Sequence, residues 1–215
     1  MIKKTHIFFI FIPAIIIAGL ALYVQIISYQ PLIPQQDETE EAKAKNSIQI
    51  PIFPDDPIIG NKQAATTIVA FEDFTCDGCK AQFFMLEKLL EKHPNKFKII
   101  WKGLPVSKFP YSSELAHKYS YCANEQNKFF EFQQLAFTNN DNLSEEILNM
   151  IISEIGLDGK KLLECLSSED TAFGIYRTEQ IASILNIQEV PTMFINNKQI
   201  NPPQLIEGWE ILLSL

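Results

Sequence analysis

The pattern with the clearest chemistry is a pair of cysteines, Cys76 and Cys79, separated by two residues. Residues 67–71 before them are short, apolar and rich in β-branched side chains, which predicts a buried strand. Apolar residues then recur at helical spacing as far as Pro94, which predicts an amphipathic helix. The pair therefore lies where a strand passes to a helix N-terminus. The helix dipole stabilises a thiolate there, and the thiolate is the form that attacks disulfides.

Zinc binding and a purely structural disulfide are the alternatives to a redox-active pair. Zinc takes four ligands, usually from two paired motifs, and the sequence has no second C-x-x-C. A disulfide that closes so small a ring is strained and easily reduced, which makes it a poor structural bond. Covalent haem attachment requires histidine directly after the second cysteine, and this chain has Lys80 there. The redox interpretation is therefore favoured, with zinc and a structural bond still open.

Composition narrows the range of functions. The chain has 215 residues, 47% of them hydrophobic, which is enough for one substantial core with additions. Its net charge is −8 and it has no cluster of lysine or arginine, so nucleic acid is not expected as a partner. The four cysteines form an even number, which is compatible with an oxidising compartment.

The N-terminus predicts export. Lys3 and Lys4 precede an apolar run over residues 7–27, which is long enough to span a bilayer, and the first charges after it are acidic. Residues 1–27 are therefore expected to be a membrane anchor or a cleaved signal peptide. The anchor is favoured because the run stays apolar where a signal peptide would turn polar. Residues 28–47 are charged and contain prolines, which predicts a flexible linker.

The folded domain is expected over residues 48–215, with α/β architecture. A possible edge strand at 48–52 precedes the cysteine-bearing unit, and a second buried strand is expected at 97–101. A helical block of about 107–186 separates this unit from a C-terminal hairpin and a last helix. The first helix supplies the crossover that parallel strands require.

These features resemble a known family. The strand, Cys76-Asp-Gly-Cys79 and helix, followed by the helical insertion and then Val190-Pro191-Thr192, look like a thioredoxin fold of the DsbA type. The segment Asp55-Asp-Pro-Ile-Ile-Gly60-Asn and the step Leu104-Pro105 look like its exported, often membrane-anchored branch. The similarity covers about residues 50–214. It implies that Cys76 is the nucleophile, that Cys79 is the resolving cysteine and that Pro191 is a cis proline facing them. The Val190 backbone would then pair with an extended substrate segment.

The resemblance implies a thiol–disulfide oxidoreductase without a dissociable cofactor or metal. Its substrates would be reduced exported proteins, in which it promotes disulfide formation, and a membrane redox partner would reoxidise it. The alternatives are a reductase or isomerase for a dedicated exported substrate, and a redox-inactive module that binds copper or zinc. The protein would act in the periplasm or another extracytoplasmic space, tethered by residues 7–27 or released after cleavage.

The chain departs from the family pattern around the cysteines. Asp77 and Gly78 stand where such proteins usually carry proline and often histidine, and a carboxylate beside a thiol is expected to raise the thiol pKa. Many members place a buried acid six residues before the first cysteine, where this chain has Ala70. Glu72 lies nearby, and Asp73 matches a common family residue. We treat Asp73, Asp77 and Gly78 as residues that tune the site.

Cys122 and Cys165, both in the helical block, are the remaining cysteines. Paired cysteines at similar positions in some relatives, an exported location and an even count predict a structural disulfide between them. Two buried free cysteines are the alternative, because free cysteine is among the most buried residue types.

Overall fold

The computed structural model describes residues 17–25, 49–108 and 112–215. Contacts divide the chain into two units, Met1–Asn46 and Ser47–Leu215. In the first unit, residues 17–25 form an exposed helix.

The expected N-terminal segments fall mainly outside the described residues. Of the anchor or signal peptide at 1–27, only residues 17–25 are described, and the linker at 28–47 lies wholly outside. Within the described ranges, no helix combines the length and the apolar character needed to cross a membrane.

A five-stranded mixed sheet forms the frame of the second unit, in the spatial order β1-β3-β2-β4-β5. Strand β2 is central and pairs in parallel with β3, whereas the other pairs are antiparallel. The strands, in chain order, are β1 (Ile58–Gly60), β2 (Thr66–Glu72), β3 (Phe97–Gly103), β4 (Thr192–Ile195) and β5 (Lys198–Ile200). The apolar residues of β2 are buried on both faces, as the unbroken apolar run predicts.

The described helices of the second unit fall into three groups. Helix α1 (Asp77–Lys92) is the crossover between β2 and β3, a block of five helices connects β3 to β4, and α7 (Ile206–Leu213) closes the chain. The helices of the block, which we call the insertion, are α2 (Glu114–Glu125), α3 (Phe129–Thr138), α4 (Glu145–Ile155), α5 (Gly159–Leu166) and α6 (Glu169–Ile184). This arrangement confirms the predicted thioredoxin-like α/β fold with a helical insertion.

The sheet separates two hydrophobic clusters. One face, which includes Ala70 and Trp101, packs against α1 and most of the insertion. The other face, which includes Phe71, packs against Ile181 and Ala182 of α6. Because side chains alternate along a strand, successive residues of β2 lie in opposite clusters.

Cys122 of α2 and Cys165 of α5 form a disulfide, with their Cα atoms 5.7 Å apart. The bond joins two helices of the insertion across 43 positions of sequence. This is the pairing expected from the sequence.

The expected edge strand at 48–52 is wrong over its described residues, 49–52, which are irregular. The Ile50 amide donates to the Asn197 side chain instead of to a strand, and Pro51 has no amide to donate. The edge strand is β1, which lies a few residues later and ends at Gly60, with φ of +86°. That backbone conformation favours glycine.

Candidate redox site

Cys76 caps the N-terminus of α1. A turn after β2, in which the Cys76 amide donates to the Asp73 carbonyl, brings the residue to the cap position. Its extended backbone directs Sγ toward the first turn of the helix, where Sγ accepts a hydrogen bond of 3.1 Å from the Cys79 amide. Cys79 lies one turn into α1 and is fully buried, whereas Cys76 is partly exposed. Both are free thiols in this structure.

The two thiols differ sharply in acidity. A hydrogen bond from the Cys79 thiol, aided by the Cys79 and Gly78 amides, lowers the pKa of Cys76 to about 7, against the opposing effects of burial and the Asp73 charge. Burial raises the pKa of Cys79 far above its ordinary range, and Cys76 and Glu72 act in the same direction. Cys76 therefore ionises far more readily than Cys79, which keeps its proton at neutral pH.

The Val190–Pro191 peptide bond is cis and lies beside Cys76. The Cys76 thiol donates to the Val190 carbonyl at 3.5 Å. A Cβ built on Gly78 would lie 3.1 Å from Pro191 Cδ and 3.8 Å from Cys76 Sγ. The segment before β4 and the first turn of α1 thus enclose the partly exposed thiol from two sides.

Glu72, at the end of β2, is one of two buried acids at this site, together with Asp73. It is 2% exposed and lies two residues beyond Ala70, so it shares that residue's face of the strand. Within the described residues, neither Glu72 Oε1 nor the neighbouring Trp101 Nε1 has a hydrogen-bond partner. Burial raises the pKa of Glu72 to about 8, and the Cys76 charge adds to this effect, while the nearby Trp101 indole opposes it.

Asp73 fixes the loop between β2 and α1. Its carboxylate accepts hydrogen bonds from the Val106 amide at 2.7 Å and from Ser113 Oγ at 2.8 Å, and it faces His117 Nε2 at 3.5 Å. Burial alone would raise the pKa of Asp73, but His117, with the Ser107 and Ser113 donors, holds it well below its usual range. Asp73 is therefore ionised and connects the cysteine loop to α2 and to the chain after β3.

Asp77 is directed toward the insertion. Its exposed side chain accepts a hydrogen bond of 2.7 Å from Asn140 Nδ2, in the turn after α3. Among carboxylates, Asp73 rather than the adjacent Asp77 opposes ionisation of Cys76 most strongly. The pKa of Cys76 is lowered, to about 7, so the rise expected from Asp77 does not dominate at this site.

The structure thus assembles Cys76, Cys79, Gly78, Val190 and Pro191 at one place, with Asp73 beneath the loop. Asp77 lies at the edge of this site, where it contacts the insertion, and the Cys122–Cys165 disulfide lies within the insertion itself. In the part of the chain that the structure describes, no group of three or more His, Cys, Asp or Glu side chains could hold a metal ion. Sequence reasoning did not assign roles to Glu72 or Asn140. The alternation of side chains along β2 was a signal for Glu72, whereas no local signal indicated a role for Asn140.

This fold and site define a thioredoxin-fold protein with a C-x-x-C motif at the start of α1. The chain belongs to the thioredoxin family, whose sequence model, described as Thioredoxin, matches residues 53–214.

Among curated relatives, the chain is 26% identical over 162 residues to the Na(+)/H(+) antiporter NhaA 3 of Salinispora tropica. The match covers 75% of this chain and 25% of that protein. The chain thus spans about a quarter of the length of the curated relatives it matches.

Solved structures share the fold. A thioredoxin-like oxidoreductase from Silicibacter pomeroyi has a TM-score of 0.68 at 19% identity, covering 75% of this chain and 92% of that one. The thiol-disulfide exchange protein alpha-DsbA2 from Wolbachia pipientis has a TM-score of 0.66 at 20% identity, covering 74% and 86%. These likenesses confirm the DsbA-like thioredoxin fold.

Proposed function

We propose that this protein is a thiol–disulfide oxidoreductase that exchanges disulfides with exported proteins through Cys76 and Cys79. The observation that carries the proposal is the contrast between the thiols. Cys76 is accessible at a helix N-cap with a pKa lowered to about 7, and Cys79 is fully buried with a raised pKa. An accessible thiolate is a good attacking and leaving group, whereas a buried protonated thiol is protected from solution reagents.

In the oxidising direction, a substrate thiolate attacks Sγ of Cys76 in the oxidised Cys76–Cys79 pair. A new bond forms between substrate and Cys76, the Cys76–Cys79 bond breaks, and Cys79 leaves with the electron pair. A second substrate thiolate then attacks the substrate sulfur of the mixed disulfide and releases Cys76 as thiolate. The substrate has lost two electrons to the protein, and a membrane redox partner removes them and restores the disulfide.

Glu72 would supply the proton that Cys79 needs when it leaves. A thiolate at the buried Cys79 position is strongly disfavoured, and Glu72 acts electrostatically on this thiol. With a pKa of about 8, Glu72 is largely protonated at neutral pH and can donate. When the pair is reoxidised, the same carboxylate would take the proton back. Glu72 would thus fill the role of the family acid expected at Ala70, from a position two residues further along the strand.

The Val190 backbone and cis Pro191 would receive the substrate. Both residues are partly exposed, and the Val190 carbonyl lies 3.5 Å from Cys76 Sγ. An extended substrate segment alongside them would place its own cysteine next to the attacking sulfur.

A reductase or isomerase for a dedicated exported substrate is the second candidate, and the acidity of Cys76 favours it. A nucleophile with a pKa of about 7 resembles the reducing thioredoxin-type thiols, whereas strong oxidants have a far more acidic cysteine. The less the thiolate is stabilised, the less oxidising the disulfide becomes.

We place the protein outside the cytoplasm, tethered to the membrane by residues 7–27 or released after signal cleavage. The charged and apolar pattern of the N-terminus supports this location. The Cys122–Cys165 disulfide supports it too, because such bonds persist in oxidising compartments.

The Cys76–Cys79 reduction potential is the deciding measurement, made by equilibration with glutathione. A value of about −120 mV would identify a donor of disulfides, and a value of about −270 mV would identify a reductase. Formation of active enzyme from a reduced, unfolded disulfide protein should require Cys76, with C76S inactive and C79S trapped as a mixed disulfide. An unreactive pair, or stoichiometric copper or zinc in the purified protein, would contradict the proposal and favour a metal-binding module.

A further inference from the structure

Asn140 joins two charged residues of α1 to the insertion. Its Nδ2 donates to Asp77 Oδ1 at 2.7 Å, and its Oδ1 accepts from Lys80 Nζ at 2.8 Å. Asn140 itself is 5% exposed, although it lies in a turn. The two hydrogen bonds fix which end of the amide faces which partner, because only nitrogen can donate to the carboxylate and only oxygen can accept from the ammonium.

The Asn140 amide therefore substitutes for a direct ion pair. Asp77 and Lys80 lie one turn apart on α1, at a spacing where carboxylates and ammonium groups often pair directly, yet they form no ion pair within 4 Å in the described structure. Lys80 Nζ also lies 3.5 Å from the Thr138 carbonyl, again on the insertion side. Both charged groups are thus drawn toward the turn after α3.

This orientation matters because Asp77 directly follows Cys76. A carboxylate within about 4–6 Å of a thiol disfavours the thiolate. Among the described residues, the groups that act on Cys76 include Cys79 and the Gly78 amide in the first turn of α1, Asp73 in the preceding loop, Glu72 on β2 and the Val190 carbonyl before β4. Among the carboxylates in this set Asp73 has the strongest effect, although Asp77 is adjacent in sequence.

We propose that Asn140 is a positioning residue that holds the Asp77 carboxylate against the insertion and away from the Cys76 sulfur. This rests on the proposed role of Cys76 as the exchanging thiol and deepens it. The insertion, through one side chain, sets how readily that thiol ionises. Without Asn140, the Asp77 side chain is free to turn toward the helix N-terminus, where backbone N–H groups attract carboxylates.

The test is a double-mutant cycle on N140A, D77N and N140A/D77N. The pH dependence of Cys76 alkylation by iodoacetamide in the reduced protein gives the midpoint of ionisation. N140A should raise that midpoint by about 0.5–1 pH unit, which is the size expected for a carboxylate brought near a partly exposed thiol. In the D77N background the same change should have no effect, because no carboxylate remains to be released.

Asn139→Ala is the matched control. Asn139 precedes Asn140 and hydrogen-bonds the Leu135 carbonyl of α3, so its loss perturbs the same turn without touching Asp77. It should leave the Cys76 midpoint unchanged. If N140A unfolds the turn, N140S, which keeps a polar group of smaller reach, provides the same measurement.

An N140A shift of equal size with and without Asp77, or no shift in a folded variant, would overturn the proposal. Both results come from the titration of Cys76 alone, so they are informative whether or not the protein exchanges disulfides. Failure of the proposed function would instead appear as an unreactive Cys76–Cys79 pair in the refolding assay.

Discussion

Replacement of Glu72 by glutamine tests the buried acid through its effect on stability. Glu72 is 2% exposed, and its Oε1 has no hydrogen-bond partner in the described part of the chain. A buried acid of this kind binds its proton more tightly in the folded than in the unfolded protein. As pH rises, the unfolded chain ionises first, so the folded state loses stability above the unfolded pKa and the loss levels off above the folded pKa.

The magnitude follows from the two pKa values, 4.5 in the unfolded chain and about 8 in the folded protein. Each pH unit between the unfolded pKa and the working pH contributes about 1.4 kcal/mol. At neutral pH the buried carboxyl therefore destabilises the reduced protein by about 3 kcal/mol relative to acid conditions. Glu72→Gln removes this pH-dependent loss. The buried amide adds its own cost of about 1–3 kcal/mol, which does not vary with pH.

Urea unfolding of the reduced protein across this pH interval measures the difference. The free energy of unfolding of E72Q, minus that of the wild type, should rise by about 3 kcal/mol from acidic to neutral pH. Glu91→Gln, at an exposed position of α1, is the control and should follow the wild-type curve. Parallel curves for E72Q and the wild type would refute the reasoning, since they would mean that Glu72 titrates normally in the fold.

Three further outcomes are expected. Asp73→Asn should lower the free energy of unfolding by about 2–4 kcal/mol at neutral pH. Because folding lowers the pKa of Asp73, the stability that its carboxylate contributes is lost as the pH falls below the ordinary carboxyl range. An acid-unfolding profile of D73N identical to that of the wild type would contradict this contribution. Joint replacement of Cys122 and Cys165 by alanine should cost about 4 kcal/mol in urea unfolding, and any shift in the active-site thiol titration would contradict a solely structural bond. Trp209→Phe removes a buried hydrogen bond of 2.9 Å from α7 to α1 and should cost about 1–2 kcal/mol, whereas a neutral effect would show that this bond does not hold α7.

The features that local pattern encodes could be predicted from the sequence. The apolar run before Cys76 and the helical spacing after it required only neighbouring residues, and both elements are present as β2 and α1. The helix from Glu145 to Ile155 is also encoded by local residues, because Ser144 caps it and Gly156 ends it in the left-handed conformation.

Features that depend on distant residues could not be predicted in this way. Strand β1 has three residues, too few for a period, and exists because β3 offers it an edge. The role of Asn140 depends on α1 packing 63 positions away from it in sequence, and nothing near Asn140 marks it. Glu72 is visible in the sequence, but the family pattern directed attention to Ala70, and only the structure shows that the Glu72 side chain is buried.

Gly78 has a consequence for the access of substrates to the sulfur. A methyl group at this position would lie 3.1 Å from Pro191 Cδ, which is closer than ordinary packing allows, and 3.8 Å from Cys76 Sγ. Glycine leaves that space beside the sulfur open, yet within a helix it is about 1 kcal/mol less favourable than alanine. An alanine at position 78 would favour the helix, but its methyl group would press on Pro191. The same methyl group would narrow the approach to the Cys76 sulfur.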